Sequence, residues 1–309
     1  MARDITDIVV DTRRRLDRTS SRFVAIDPNQ QRGLFFGTQT VETSVSTELQ
    51  KRPSGTTDPW QDATPAKRSG VVTVDGHELT AASLYGAGST PDVIAYGDDT
   101  TAADKFDTAL GNQLGTLNIA STSTPGSDAV CTSASTTSNS FVTSLYEVGV
   151  KDGDADLVSR EVFDGASSVD PSNDEIRFVT TITFTVDAFG QGLFTDAGAE
   201  NVPEAVVDSS FDLFMAFVFS DQDDDLKKSQ TSLPNETFRN SVTEDRTSAD
   251  VIVTSRVTTD DTASGYPYDI VQAGVVTDND VLIWASDNRA LTVESDTEFT
   301  AEIRFVVSN

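Results

Sequence analysis

The 309-residue chain repeats itself, and nothing else in it constrains the fold as much. Thr108, Leu110 and Asn112 in DTALGNQL recur as Thr231, Leu233 and Asn235 in QTSLPNET, an offset of 123. Tyr146, heading YEVGVKDGDADLVSREVF, recurs as Tyr268 in YDIVQAGVVTDNDVLIWAS, an offset of 122. Ile182, Phe184 and Val186 recur as Ile303, Phe305 and Val307, an offset of 121. A single match arises easily by convergence; three in order at a nearly fixed separation mark a duplication.

Each copy has the grammar of strands. Ile176, Phe178, Thr180, Ile182, Phe184 and Val186 occupy alternate positions, as do Phe299, Ala301, Ile303, Phe305 and Val307, so each run presents one apolar face. Acidic turns, DGDAD at Asp152 to Asp156 and TDND at Thr277 to Asp280, sit between Val-, Leu- and Ile-rich segments as hairpin turns do. Further strands are expected at Phe141 to Leu145, Phe211 to Phe219 and Val251 to Val257. Helical periodicity is confined to the N-terminal arm and Ala103 to Leu114. Ser121 to Thr143 holds 13 Ser or Thr in 23 residues and reads as a long surface loop leading into a strand. The expected class is all-β: two tandem related β-sandwiches, jelly-roll-like, at 84–187 and 188–309, behind an arm and linker at 1–83.

Charge divides the chain differently. Residues 1–68 hold 11 Lys and Arg against 9 Asp and Glu, while 69–309 hold 11 against 41, which sum to the net charge of -28. In the first part Arg13, Arg14, Arg15, Arg18 and Arg22 share a segment whose Ile5, Ile8, Val9, Thr12 and Leu16 follow helical spacing. A short amphipathic helix is expected there. Guanidinium groups pair well with carboxylates, so these arginines are the candidate assembly anchor on an acidic neighbour; a solvated helix with i, i+4 Arg–Asp pairs is the competing reading. Val41, Thr43, Val45, Thr47 and Leu49 alternate as a half-buried strand, and Lys51 to Gly70 reads as linker.

The acids comprise 37 Asp and 13 Glu and the bases 16 Arg and 6 Lys, a halophilic signature. In molar salt the screening length falls to ~3 Å, so crowded carboxylates repel weakly while their hydration still opposes aggregation. A charge of -28 repels nucleic acid and anionic lipid alike, which argues against both as partners. The opening MARDITD has no apolar run of a signal peptide, and the longest apolar stretch, Phe211 to Phe219, falls short of the ~20 residues of a membrane helix; neither export by a standard signal nor membrane insertion is expected. One Cys and one His exclude Cys-rich zinc, iron–sulfur and multi-histidine sites.

Taken in order, PDVIAYGDDTTAADKFDTALGNQL, YEVGVKDGDADLVSREVF and EIRFVTTITFTV resemble a series found in small tail-associated structural proteins of tailed viruses. There a Gly–Thr turn precedes a D-T-A-L element, an Asp–Gly turn, an arginine-bearing strand and a terminal alternating strand. The second copy departs from it: the Gly–Asp turn becomes FSDQDDD at Phe219 to Asp225 and the arginine becomes Ala285. The resemblance implies a noncatalytic virion protein at a tail tip, baseplate, fibre attachment or capsid turret, and the halophilic composition points to a virus of haloarchaea. It implies a homo-oligomer, trimeric or pentameric in a turret, joined to other virion proteins through the arm, touching a host surface glycoprotein, and assembled in the host cytoplasm.

Candidate chemistry is sparse. Asp152, Asp154 and Asp156 open like a calcium loop and are the candidate metal ligands, yet Leu157 and Phe163 stand where that loop needs Gly and Glu; no other cofactor is expected. Asp221, Asp223, Asp224 and Asp225 form a second acidic cluster. His77 in TVDGHEL reads as a turn histidine because no G-x-S-x-G nucleophile accompanies it. Cys131 reads as an inert small residue. Trp60, Trp284, Tyr266 and Tyr268 are candidates for sugar stacking, with Trp284 better suited to a core, and Asn235 stands in an NET sequon. A cell-surface adhesin or carbohydrate-binding module is the alternative function, and a carboxylate-based hydrolase the remaining one.

Overall fold

A computed structural model describes residues 24–25, 32–84, 86–165, 167–187, 192–222, 224–247, 249–257, 268–293 and 299–308. The arginines expected to form an anchor, Arg13 to Arg22, and Tyr266 lie outside the described residues.

The chain begins with β1 (Val24–Ala25) and a 22-residue strand, β2 (Arg32–Pro53), followed by β3 (Gln61–Asp62). The first repeat comprises β4 (Ala66–Val72), α1 (Val74–Leu84), β5 (Pro91–Gly97), β6 (Gln113–Ser123), β7 (Asp128–Ser133), a 3-10 turn (Ser140–Ser144), β8 (Glu147–Asp152), β9 (Leu157–Asp164) and β10 (Asp174–Asp187). The second comprises β11 (Leu193–Phe194), α2 (Asp196–Val207), β12 (Ala216–Ser220), β13 (Glu236–Ser241), β14 (Thr243–Thr247), β15 (Asp250–Val257), β16 (Tyr268–Val276), β17 (Leu282–Val293) and β18 (Phe299–Ser308).

The molecule is mostly strand, and its two halves have one topology. Strands run β4-β9-β8-β5-β6-β7-β10 in the first repeat and β11-β17-β16-β12-β13, then β14-β15-β18, in the second. In the first, β6 passes from β5 to β7 through an irregularity between Ile119 and Ser121; in the second, the same passage is broken between β13 and β14. The break leaves a five-stranded sheet separate from a thirteen-stranded one.

β2 joins the halves. It pairs antiparallel with β10 from Thr40 to Pro53 and parallel with β18 from Arg32 to Glu42, so the terminal strands of both repeats flank it. Val41, Thr43, Val45, Thr47 and Leu49 are buried while Glu42, Ser44, Ser46 and Glu48 are exposed, the period-two pattern of a sheet with one wet face. The helices cross over: α1 packs on β15 and β18 of the second repeat, and α2 on β7 and β10 of the first. Phe178 and Phe184 share one apolar core with Phe299 and Phe305. Burying each such ring contributes about 2–3 kcal/mol, so neither half closes its core without the other.

Several local expectations are corrected. The described part of 1–83 is no detached arm, because β2 lies between the terminal strands of the two repeats and α1 packs on both repeats. The presumed linker Lys51 to Gly70 contains the end of β2, β3 and most of β4. Ala103 to Leu114 forms turns leading into β6, not a helix, and Ser121 to Thr143 contains β7, whose alternate residues Ala129, Cys131 and Ser133 are buried. Phe141 to Leu145 forms the 3-10 turn instead of a strand. His77 lies on α1 rather than in a turn. Cross-strand partners also revise the repeat: Gly97 pairs with Glu147 and Ser220 with Gln272, so the hairpins match at an offset of 125 and Tyr146 does not align with Tyr268.

Candidate functional site

The duplication extends to side chains. Each helix begins after a threonine whose hydroxyl accepts from a glycine N–H three residues on: Thr73 from Gly76 at 3.1 Å and Thr195 from Gly198 at 2.9 Å. Both hydroxyls also donate to the neighbouring hairpin strand, Thr73 to Leu157 O and Thr195 to Leu282 O. Both glycines are required by close approach: a Cβ would stand 2.1 Å from Val158 O at Gly76 and 2.2 Å from Ile283 O at Gly198. TVDG and TDAG are therefore one motif, the helix start that the strand-based reading passed over.

The acidic turns are also one structure. Asp152 Oδ1 accepts the N–H groups of Asp154 (3.1 Å) and Asp156 (2.8 Å), and Ala155 takes φ 68°. Thr277 Oγ1 accepts from Asn279 (3.2 Å) and Val281 (3.3 Å), and Asp280 takes φ 61°. The carboxylate of Asp152 also receives the Ser89 hydroxyl and is buried, whereas Asp154 and Asp156 are exposed. The three proposed calcium ligands thus belong to a hairpin turn, and among the described residues no three His, Cys, Asp or Glu side chains are grouped as a metal ion needs.

Between the first two strands of each hairpin sheet runs a fifteen-residue loop, 98–112 and 221–235. Asn112 Nδ2 donates to Asp98 Oδ1 (2.6 Å) at the base of the first, as Asn235 Nδ2 donates to Asp221 Oδ1 (2.7 Å) in the second. Lys105 O accepts from Val74 N, and Lys228 O from Asp196 N, both at 2.7 Å, which ties each loop to its helix. The sequon asparagine is therefore a loop-closing residue with a counterpart in the first repeat.

What differs is how the loops are held. In the first repeat Arg160 of β9, 3% exposed, reaches under the loop. Its Nε donates to Glu147 Oε2 (2.9 Å), Nη1 to Asp107 Oδ2 (2.7 Å) and Nη2 to Asp99 Oδ2 (3.0 Å). Glu147, wholly buried on β8, accepts in addition from Gly111 N (3.0 Å) and Asn112 N (2.8 Å). Burial alone would lower the Arg160 pKa, but bonding to Asp107 and Glu147 outweighs it and holds the guanidinium above its usual value. Asp99 sits below the usual carboxylate range, first because the Thr101 N–H donates to it and further through Arg160. In the second repeat the matching positions are Ala285, Gln222, Gln230 and Gln272. There Gln230 accepts from Lys227 N as Asp107 accepts from Asp104 N, and Gln272 Nε2 donates to Asp287 Oδ1 (2.8 Å) and to Asp224 O.

The first loop thus projects from a rigid base. Phe106 stands at its tip, 71% exposed, with the Lys105 ammonium 5.2 Å from its ring. Such an aromatic on a fixed loop suits contact with a partner surface, and Ser229 replaces it in the second repeat. Sequence reading missed Asp99, Asp107, Glu147 and Phe106; the signal was present in the joint change of three carboxylates to amides where the arginine becomes alanine.

The remaining candidates have structural partners. His77 Nε2 lies 3.1 Å from Thr43 Oγ1, which donates to Ser308 O (3.1 Å), tying α1 to the last strand. Burial pushes the Cys131 thiol up to about 12. Trp284 is fully buried, and half-buried Trp60 lies over the guanidinium groups of Arg52 (4.3 Å) and Arg177 (4.5 Å). No family model matches the chain, and neither a curated protein nor a solved structure matches it.

Proposed function

We propose that this chain is a noncatalytic structural protein of a tailed virus particle, working by oligomerisation and by contact with the host or with neighbouring virion proteins. A tail tip, baseplate, fibre attachment or capsid turret suits it equally. The observation that carries the reading is the interlocked duplication: two copies of one module share β2, are bridged by both helices and hold two similar loops on a common body. Such a body is a rigid carrier of surfaces, and its ring-like repetition in a particle would multiply weak contacts. The halophilic composition supports a haloarchaeal host, and Arg13, Arg14, Arg15, Arg18 and Arg22 are the proposed link to the particle.

The test is the composition of purified particles. Peptides of this chain should band with infectious particles in a salt-stable density gradient, and antibodies to residues 98–112 should decorate one place on them. Recovery in the cell envelope instead of in particles would replace this reading with a cell-surface adhesin or carbohydrate-binding protein. The half-exposed Trp60 ring favours that second reading, and glycan binding lost in Trp60→Ala would establish it.

A further inference from the structure

The duplication supplies an internal control for surface composition. From Thr108 to Tyr146 the chain has one charged residue, Asp128, in 39 positions; the corresponding stretch from Thr231 to Val271 has ten in 41. Topology alone does not explain the contrast, since β6 and β7 of the first stretch have β13, with β14, and β15 as their counterparts in the second. Nor does burial, because β6 is exposed at most of its positions from Gln113 to Ser123 while carrying no charge and no proline. Edge strands in monomeric proteins are ordinarily guarded by charges, prolines or inward-pointing ionisable groups.

A terminal strand of the thirteen-stranded sheet, β14, is guarded in that way: its half-buried Glu244 pairs across from buried Val253, and Asp245 and Arg246 beside it are exposed charges. β6, over 119–123, pairs with β7 on one side only. The β14 edge is thus guarded, and the free side of β6 at 119–123 is not.

We propose that β6 is a self-association surface, pairing antiparallel with β6 of a second copy about a twofold axis. The inference rests on the reading that the protein works by assembly, and it names the surface. Over most of the exterior of a chain of net charge -28, a second copy docks only by stripping water from carboxylates, a cost that salt does not screen. β6 and the uncharged segment around it let two copies meet without that cost. Antiparallel pairing of one strand with itself is isologous, so it closes at two copies.

Sedimentation of the full chain in multimolar KCl should show a dimer. Introducing Ser121→Glu with Ser123→Glu, at exposed positions, should weaken it ~10-fold or more while leaving thermal unfolding unchanged. Single cysteines placed from 119 to 123 should form intermolecular disulfides with themselves most readily near the twofold axis and less on either side; Cys131, buried, stays out of the reaction. Asp245→Lys should leave the dimer intact. A monomer at high concentration, indifference to the β6 charges, or equal sensitivity to Asp245→Lys would overturn the proposal. A β6 dimer that never bands with particles would remove the viral reading and leave this surface standing, and particle-bound protein indifferent to the β6 charges would do the reverse.

Discussion

The loops 98–112 and 221–235 close over the same scaffold by opposite chemistry. One is pinned by a buried guanidinium facing three carboxylates, the other by a set of amides, with Ala285 at the position of the arginine. The two sets are internally consistent and cannot be mixed freely. A buried carboxylate without its arginine carries a desolvation cost of several kcal/mol, whereas the amide set carries no net charge to desolvate. The comparison shows that loop shape is set by the backbone frame, by the Asn–Asp closure and by the helix tie, while the polar cluster underneath is exchangeable as a unit.

The largest effect should come from breaking one set. Arg160→Ala alone should destabilise the fold by about 3–5 kcal/mol in denaturant titrations, because Glu147 is left buried without its cationic partner. Adding Asp99→Gln, Asp107→Gln and Glu147→Gln, which imports the second repeat's set, should restore most of that loss; a single substitution costing under about 1 kcal/mol would end the comparison.

Next come the helix starts. Gly76→Ala and Gly198→Ala should each cost about 1–3 kcal/mol, since a methyl must displace a carbonyl oxygen in both. Near-equal losses in a single unfolding transition would confirm that the halves are alike and interlocked; two transitions would separate them.

A smaller effect distinguishes the repeats by pH. Burial, and secondarily Asp212, pushes the Glu244 carboxyl up to about 8. The folded state therefore holds its proton more tightly than the unfolded chain, so its stabilising contribution is complete below the ordinary carboxylate range and is lost as pH rises through about 8. Glu244→Gln should flatten that decline and raise stability at pH 9 by about 1 kcal/mol, a figure reduced for solvent screening and read from melting curves across pH.

The smallest change is expected at an exposed arginine. Arg239 bonds Glu236 at 2.7 Å and also Asp280, yet it is 44% exposed at the side chain. Arg239→Gln should cost under about 0.5 kcal/mol, and less in high salt, because water competes for these charges as it cannot at Arg160.

The sequence by itself determined the strand-rich class, the duplication, the alternation of β2 and the final strands, and the two hairpin turns. These are local signals: side-chain period, turn chemistry and recurrence survive in one dimension. It misassigned β7, because threonine and serine suit an exposed loop and a half-covered strand equally, and it passed over the helices, whose short apolar faces lack a strong period. Only the tertiary structure decided that β2 is shared, that α1 and α2 each bridge the two halves, and that Arg160 meets Asp99, Asp107 and Glu147. Those contacts join residues tens to hundreds of positions apart, and which partners meet is fixed by sheet register and by the burial of a common core, neither of which any single segment encodes.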